Sequence, residues 1–326
     1  MAIIGYSPGT RNRKVTVEKG NRKFYNQRMI LKRFIPIFLI IALFLGCVTT
    51  PVSERRSFVL IPFDKEVKLG EEAYQEVLKK EKKSNDGQLI EIVERVGRQL
   101  AAVSPMPNLK WEFTLIESDQ KNAFALPGGK VAIYTGILPV CANEAGLAAV
   151  MGHEIAHAIA RHGAQRMSQS LLLTGLLAGT SISLSGHKNQ KEILGALGLG
   201  TTVGVALPFS RSNESEADEI GLVLMAKAGY DPQEAERFWG RFNKMKGGKH
   251  PPEILSTHPT DATRIEDIRR LLPKANQIYR ANPLQHGLGQ SFLYILSLRK
   301  NQEPVNNTAQ PPTSMPNKSA PAPMPQ

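Results

Sequence analysis

Apolar residues recur at the helical period in some segments of this chain, and aromatic and β-branched residues cluster in two shorter runs. These patterns predict helices over 64–83, 88–103 and 143–166 and strands over Trp111–Ile116 and Lys130–Thr135. Asn143 supplies an N-cap for the third helix, and a turn at Pro127–Gly129 precedes the second strand. The fold class expected is α+β, mostly helical, with a small β-sheet beside the third helix.

An apolar stretch of about thirteen residues, Phe34–Gly46, follows two basic residues near the N-terminus. Because it is too short for a comfortable membrane span, it is typical of a signal peptide. The Gly46-Cys47 pair at its end predicts a bacterial lipoprotein in which Cys47 is lipidated. An uncleaved anchor and cleavage at another position stay open as alternatives.

The start of the chain is also open to interpretation. Met29 begins a compact signal sequence, so it is a candidate for the true start, whereas Met1 adds a long basic extension. Val48 rather than Asp after the lipidated cysteine favours an outer membrane. The expected location is therefore a bacterial envelope, lipid-anchored and facing the periplasm.

Composition divides the chain into five segments. These are a signal peptide (1–46), a lipidated tether (47–62), a catalytic domain (63–282), a C-terminal extension (283–300) and a disordered tail rich in Pro, Asn, Ser and Thr (301–326).

The segment 171–209 holds two apolar, glycine-rich runs separated by a polar turn. Each run is near or below the length needed to cross a bilayer. A helical hairpin that packs on the third helix and covers a cleft is favoured over membrane insertion, and both alternatives stay open.

The formal net charge of +12 is concentrated in the predicted signal peptide. Residues 1–46 hold nine basic and one acidic residue, so the remaining 32 basic and 28 acidic residues leave +4. This balance implies no nucleic-acid partner. With Cys47 lipidated, Cys141 stands alone, and no intramolecular disulfide is expected.

The most informative chemistry lies in the third predicted helix, at His153-Glu154-Ile155-Ala156-His157. On a helix, residues four apart lie about 40° from each other around the axis, so both imidazoles can reach one metal ion. Nitrogen ligands with an adjacent carboxylate suit zinc. The pattern predicts a zinc site that keeps an open position for water.

A third ligand is expected from a second helix. Glu214 and Asp218 are again four residues apart, at the start of an apolar-periodic run. One carboxylate can bind the metal while the other orients a histidine ligand through its second ring nitrogen. The alternative is an acidic, solvated helix start that favours the positive end of the helix dipole.

Several motifs occur in one order along the chain: Asn122-Ala123-Phe124-Ala125-Leu126-Pro127-Gly128-Gly129, the 153–157 helix followed by Ala160-Arg161-His162, Ser210-Arg211 with Glu214 and Ala217-Asp218, and Ser256-Thr257-His258-Pro259 followed by Arg264-Ile265. Together they resemble the zinc metallopeptidase family that includes HtpX, the mitochondrial Oma protease, the CAAX prenyl endopeptidase, LoiP and BepA. The resemblance covers about 63–279 and is closest to the Oma, LoiP and BepA branch.

This resemblance implies a zincin-like core and a role for each matching residue. Zinc, one per chain, would be held by His153, His157 and Glu214, with Glu154 as general base. Asp218 would orient a ligand. His258 would be a further ligand at rest or would steady the oxyanion during turnover. Arg211 would stabilise charge beside the site, unless it forms a structural salt bridge.

The motif at Asn122, Ala123, Phe124 and Ala125 lies between the two predicted strands and marks candidate substrate-binding residues. An edge strand beside the metal helix can pair with an extended peptide through its backbone. The alternative is a hairpin that only packs on the helix. His162 is expected to be structural, because it is off the ligand face.

The function expected is a zinc-dependent endopeptidase that acts on unfolded or misassembled envelope proteins, a substrate class that comes from the resemblance. A chaperone-like peptide-binding protein with little turnover and an integral membrane peptidase are the alternatives.

Overall fold

The computed structural model describes residues 47–50, 52–178, 209–245, 253–258 and 263–300. In chain order the elements are β1 (Cys47–Thr49), β2 (Arg56–Phe58), α1 (Phe63–Lys80), α2 (Gly87–Ala102), β3 (Glu112–Ile116), β4 (Ala123–Leu126), β5 (Lys130–Tyr134), a 3₁₀ turn (Thr135–Ile137), α3 (Leu138–Cys141), α4 (Glu144–Ile159), α5 (His162–Ala178), α6 (Arg211–Lys227), α7 (Gln233–Lys244), a 3₁₀ turn (Glu253–Ser256), α8 (Arg264–Ala281) and α9 (Phe292–Lys300). The mostly helical α+β fold is confirmed. The predicted signal peptide, the tail and residues 179–208 of the predicted hairpin lie outside the described residues.

Helix α4 lies at the centre of the fold. All of its residues except Ala158 are buried, and helices α2, α6 and α7 and strand β4 pack against it. Its cap is the one predicted, since Asn143 Oδ1 accepts a hydrogen bond from the Gly146 amide at 2.9 Å. A helix that is apolar on all faces is a core helix, so the two histidines it carries are held in a rigid setting.

The helix predicted over 143–166 is in fact two helices. Helix α4 ends at Ile159 and α5 begins at His162, because Arg161 between them has a left-handed backbone with φ 56°. Its side chain holds this corner, with Nε 2.6 Å from Glu66 Oε2 and Nη2 donating to the Ile61 carbonyl at 2.7 Å. The break changes the direction of the chain just before His162.

The sheet beside α4 has the strand order β3-β5-β4. Both predicted strands are present, but they run parallel to each other and do not form a hairpin. The hairpin joins β4 to β5, and its turn contains Gly128 and Gly129 at φ 87° and 83°. Strand β4 comes from the 122–129 motif and forms the sheet edge that packs against α4.

The crossing of α4 and α6 depends on two glycines. A Cβ placed on Gly221 would lie 3.0 Å from the His153 backbone nitrogen and 3.1 Å from the Gly152 carbonyl carbon. Because neither helix carries a side chain at this point, the backbones approach closely. This contact sets the distance between the helix that carries the histidines and the helix that carries Glu214.

We expect Gly221→Ala to lower the free energy of unfolding by about 1–3 kcal/mol, because the added methyl group must force the two backbones apart. Denaturant unfolding of the purified variant measures this. Gly240→Ala is the matched control. Outside its chain neighbours and its own helix backbone, no atom of the described residues lies within 4 Å of its added Cβ, and helix propensity favours alanine by about 1 kcal/mol. Equal stability of the two variants would show that the crossing tolerates a side chain.

The residues predicted as a tether, 47–62, include a two-stranded sheet. Strands β1 and β2 pair antiparallel, with Cys47 opposite Phe58. The chain then continues through Val59 and Ile61, which are buried in a second core between α1 and the sheet. The segment before α1 is therefore packed on the catalytic domain.

Residues 284–292, in the predicted C-terminal extension, close the start of α4. The Glu144 amide donates to the Gln290 carbonyl and the Ala145 amide to the Leu288 carbonyl, both at 3.0 Å. These amides belong to the first turn of α4, where backbone amides have no hydrogen-bond acceptor within the helix. The extension thus stabilises the end of α4 that precedes the histidines.

Within the described part of the chain, no helix combines the length and hydrophobicity needed to cross a membrane.

Candidate active site

Four buried side chains from three parts of the chain meet beside α4. His153 and His157 come from α4, Glu214 from the first turn of α6, and His258 from the loop after the second 3₁₀ turn. Their candidate ligand atoms all lie within 4.8 Å of one another. The structure therefore brings together the three predicted metal ligands and His258, the predicted further ligand.

The donor set fits a divalent metal. Asp218 Oδ1 lies 2.9 Å from His153 Nδ1, so that nitrogen carries the proton and the Nε2 lone pair of His153 faces His157 Nε2 at 3.1 Å. Glu214 oxygens lie 3.5 Å and 3.4 Å from these two nitrogens. A cation among these atoms would relieve the repulsion between them, and two imidazoles with one carboxylate are typical zinc ligands.

The charges of two of the ligands, His157 and Glu214, suit metal binding. Burial, followed by the neighbouring His153, holds the pKa of His157 well below its usual range, so this ring is neutral. Burial alone would raise the pKa of Glu214, but His258 and His153 outweigh it and hold the pKa well below its usual range. A neutral imidazole and an ionised carboxylate are the forms that bind a metal.

His153 is oriented by a buried ion pair. Arg264 on α8 donates from Nη2 and Nε to the two oxygens of Asp218 at 2.7 and 2.9 Å, and from Nη1 to Glu214 at 3.1 Å. The Arg264 guanidinium also lies 3.4 Å from the ring centroid of Trp239. The predicted role of Asp218 therefore has a geometric basis, with Arg264 as its partner.

Arg211, the arginine predicted beside the site, is exposed at the start of α6. Arg211 is near Glu214 in sequence, three residues before it. The arginine that contacts Glu214 and Asp218 is Arg264, which is distant in sequence and is placed there by the packing of α8 on α6. The sequence contained one indication of this, since Arg264-Ile265 follows the His258 motif.

His157 has its own supporting residues, and the sequence prediction missed them. His162 Nδ1 lies 2.9 Å from His157 Nδ1, and His162 Nε2 lies 3.1 Å from Glu216 Oε2. His162 is fully buried. The prediction that it is only structural assumed one continuous helix, and the break at Arg161 is what turns this ring toward His157.

Glu154 lies at the edge of the cluster with one oxygen uncommitted. Its Oε1 is buried and has no hydrogen-bond partner among the described residues, and the nearest imidazole nitrogen, His258 Nε2, is 3.5 Å away. Burial raises the pKa of Glu154 to about 7, while His258 and the Ala125 backbone amide favour the ionised form. A buried oxygen without a partner, beside a candidate metal, is where a general base would act.

The pKa of Glu154 makes stability depend on pH in the metal-free protein. Its usual value is 4.5, so between pH 4.5 and 7 the folded state holds the proton more tightly and stability falls as pH rises. Relative to Glu154→Gln, the wild type should lose about 2–3 kcal/mol of unfolding free energy between about pH 5 and pH 8. Denaturant unfolding with a chelator at both pH values measures this, and parallel profiles would contradict it.

The predicted substrate residues lie on and beside β4. The Tyr134 amide donates to the Asn122 carbonyl at 3.1 Å, so the backbone groups of Asn122 and Phe124 face β5. The backbone groups of Ala123 and Ala125 point to the opposite edge of β4. The Ala125 amide is the one that favours ionised Glu154. In the described part of the chain this edge of β4 has no partner strand, and it runs along the cluster.

Phe209 covers the other side of the cluster. Its ring centroid lies 4.1 Å from that of His157 and 5.1 Å from that of His258, and the Arg166 guanidinium lies 3.6 Å from the Phe209 ring centroid. The Phe209 amide donates to the Thr257 carbonyl at 2.9 Å. Phe209 is the last residue of the predicted hairpin and was not predicted as a site residue, so one end of that segment packs on the site.

The model of peptidase family M48 matches residues 87–272, which is more than half of the chain. The chain belongs to peptidase family M48. The match spans α4, Glu214, His258 and Arg264, and it confirms the predicted family and the predicted metallopeptidase.

Several relatives agree with this family. The chain is 40% identical over 235 residues to the mitochondrial metalloendopeptidase OMA1 of Schizosaccharomyces pombe, covering 69% of this chain and 66% of the relative. It is 36% identical over 250 residues to the protein of that name from Saccharomyces cerevisiae, covering 70% of each. It is 32% identical over 200 residues to the beta-barrel assembly-enhancing protease of Escherichia coli, covering 60% of this chain and 40% of the relative.

The relatives correct the predicted location. A bacterial envelope location with the outer membrane favoured is contradicted, because relatives at 40% and 36% identity carry the word mitochondrial in their names. Lipidation of Cys47 depended on that location and stays a prediction without support from these relatives.

Proposed function

We propose that this M48 protein is a zinc-dependent endopeptidase that hydrolyses peptide bonds in unfolded or misassembled proteins. The observation that carries the proposal is the Glu154 Oε1 atom, buried and without a hydrogen-bond partner among the described residues, beside a converging set of metal ligands. The family and the named metalloendopeptidase relatives support the reaction type.

His153, His157 and Glu214 would hold the metal. Zinc, when bound there, would polarise the substrate carbonyl and make a water acidic enough to attack near neutral pH. Asp218 and Arg264 keep His153 oriented through the contacts described above. The chain itself thus supplies a preorganised ligand set before any substrate arrives.

Glu154 is the proton carrier in this proposal. Its uncommitted oxygen can accept the proton of the attacking water and deliver it to the nitrogen of the departing amine. A group that must accept and then release a proton works best when its pKa is near the working pH, and in the metal-free protein burial raises the pKa of Glu154 toward that range.

His258 stands between the ligand set and the base. Its Nδ1 lies 3.1 Å from Glu214 Oε1 and its Nε2 3.5 Å from Glu154 Oε1. From this position it can serve as a fourth ligand at rest, or donate a hydrogen bond to the oxygen that becomes negative during attack. Both predicted roles are compatible with this geometry.

The edge of β4 supports extended, unfolded substrates. A peptide that pairs with the outward carbonyl groups of Ala123 and Ala125 would lie along the cluster, next to Glu154. The Ala123 amide already donates to Asn122 Oδ1 at 3.0 Å, and the Ala125 amide is directed to Glu154. Such pairing uses main-chain hydrogen bonds, so it makes little demand on sequence but requires an extended chain. Folded domains would be excluded because their strands are already paired.

One substrate protein in two states tests the proposal. We expect cleavage of reduced, carboxymethylated lysozyme but not of native lysozyme, since only the first offers an extended chain. Cleavage should stop when a chelator removes the metal and return with about one zinc per chain. Mass spectrometry of the products would show internal cuts.

The other outcomes separate the alternatives. A protein that carries zinc and binds the unfolded lysozyme without cleaving it would favour the peptide-binding alternative. Absence of zinc from the purified protein, with no uptake on addition, would overturn the ligand assignment.

A further inference from the structure

The contacts that support His157 continue beyond His162 into the N-terminal hairpin, which is formed by strands β1 and β2. Glu216, which accepts from His162, is also contacted by Ser53 and Arg55 from the loop between β1 and β2: Arg55 Nε lies 2.5 Å from Glu216 Oε2, and Ser53 Oγ donates to Glu216 Oε1. Both hairpin residues precede the family match, which begins at residue 87.

The ligand role of His157 determines where the protons lie on His157 and His162. If His157 uses Nε2 as a ligand, its Nδ1 carries the proton and donates to His162 Nδ1, 2.9 Å away. His162 must then carry its own proton on Nε2, which points to Glu216 at 3.1 Å. The Glu216 carboxylate thus selects the tautomers of both rings.

Arg55 fixes the position of Glu216. Its Nη1 donates to Ser212 Oγ at 2.8 Å, and its Nη2 to Gln165 Oε1 at 3.1 Å and to Asn213 Oδ1 at 3.3 Å. Arg55 therefore joins the hairpin to α5 and to α6. Since Glu216 lies almost wholly buried, with 3% of its side chain exposed, it needs such a partner to stay ionised.

The hairpin loop is held in a costly backbone conformation. Val52 and Glu54, on either side of Ser53, have φ 80° and 56°, which is unfavourable for residues other than glycine and especially for a β-branched one. Strain of this kind persists only where surrounding contacts hold it, and it is concentrated at functional sites. Here it directs Ser53 and Arg55 toward Glu216.

We propose that Ser53 and Arg55 are positioning residues for the metal ligand His157, acting through Glu216 and His162. The N-terminal hairpin is thus part of the metal site and not only a connection to the catalytic domain. This inference rests on the proposed function, because it requires a metal at the 153/157/214 cluster.

Zinc affinity of the full chain, measured by competition with a chromogenic chelator, tests the proposal. Arg55→Ala should weaken zinc binding by about tenfold or more, within the range for residues that support a metal ligand indirectly. Arg55→Lys should recover part of the loss. Arg56→Ala is the matched control, because Arg56 is the neighbouring residue of the hairpin and is exposed.

A double-mutant cycle shows whether Arg55 acts through Glu216. Glu216→Gln should weaken zinc binding at least as much as Arg55→Ala, and adding Arg55→Ala to it should cause no further loss. Thermal unfolding of the metal-free variants checks that each is folded at the assay temperature.

The outcomes separate the two proposals. An Arg55→Ala protein that binds zinc within twofold of wild type, or that loses the same factor in the Glu216→Gln background, would overturn the positioning role. A wild-type protein that binds no zinc would instead overturn the proposed function.

Discussion

Glu154→Gln is expected to lower kcat/KM on an unfolded protein substrate by about a thousandfold or more. Glutamine has nearly the same shape, but it cannot accept the proton of the attacking water. Glu154 Oε1 is the uncommitted buried oxygen beside the cluster, and the neighbouring His258 lies closer to Glu214 than to Glu154.

The zinc content of this variant should stay at the wild-type level, since Glu154 is not among the converging ligand atoms. Initial rates on carboxymethylated lysozyme, with zinc measured on the same samples, give both quantities. Glu219→Gln is the matched control, because Glu219 lies on α6 in an ion pair with Lys274 near the surface. Activity of the Glu154→Gln protein within tenfold of wild type would remove Glu154 from the role of base.

Arg264→Ala is expected to lower the free energy of unfolding of the metal-free protein by about 3–5 kcal/mol. Arg264 is buried and pairs with both oxygens of Asp218 and with Glu214. Removing it leaves two buried carboxylates without their cation and leaves the Trp239 ring without the guanidinium above it. Loss of one partner from a buried pair is costly, because the remaining charge keeps its desolvation penalty.

The pH dependence distinguishes a lost ion pair from lost packing. Burial alone would raise the pKa of Asp218, but Arg264 and His153 hold it below its usual range. Without Arg264, Asp218 and Glu214 should take up protons more readily as pH falls, so the deficit should shrink toward acid pH. Denaturant unfolding at neutral and acid pH measures this. A deficit that is constant with pH would indicate packing alone.

Arg269→Ala is the control for this prediction. Arg269 lies on the same helix, but 59% of its side chain is exposed and its ion pair is with Glu236 near the surface. We expect a change within about 1 kcal/mol, as for exposed ion pairs generally. A similar loss in both variants would show that α8 is sensitive to any arginine removal.

The residues near the metal could be predicted wherever one helix sets their spacing. His153 and His157 are four residues apart, and so are Glu214 and Asp218, so local geometry alone places each pair on one face. The strands over Trp111–Ile116 and Lys130–Thr135 were predicted for a similar reason, because residue type and turn chemistry are local. Their parallel pairing was not predictable, since it depends on β4, which lies between them in the chain and pairs antiparallel with β5.

Residues that support the ligands from a distance required the tertiary structure. Arg264 reaches Asp218 only because α8 packs on α6. Nothing in the spacing of Arg211 excluded it as the arginine that stabilises charge beside the site. His162 faces His157 only because the chain turns at Arg161. Arg161 has a φ that is unfavourable for a non-glycine residue, and its contacts with Glu66 and Ile61 stabilise this conformation.

The sequence by itself determined the chemistry of this protein: a helix with two histidines and a glutamate, a second helix with two carboxylates, and the 122–129 motif between two predicted strands. Such features depend on interactions between residues a few positions apart. Only the tertiary structure decided which charges surround the ligands, and it placed Arg264, His162 and the N-terminal hairpin there. Those contacts join segments that are far apart in the chain. They form because a charged group that is buried away from water needs a partner to offset its desolvation.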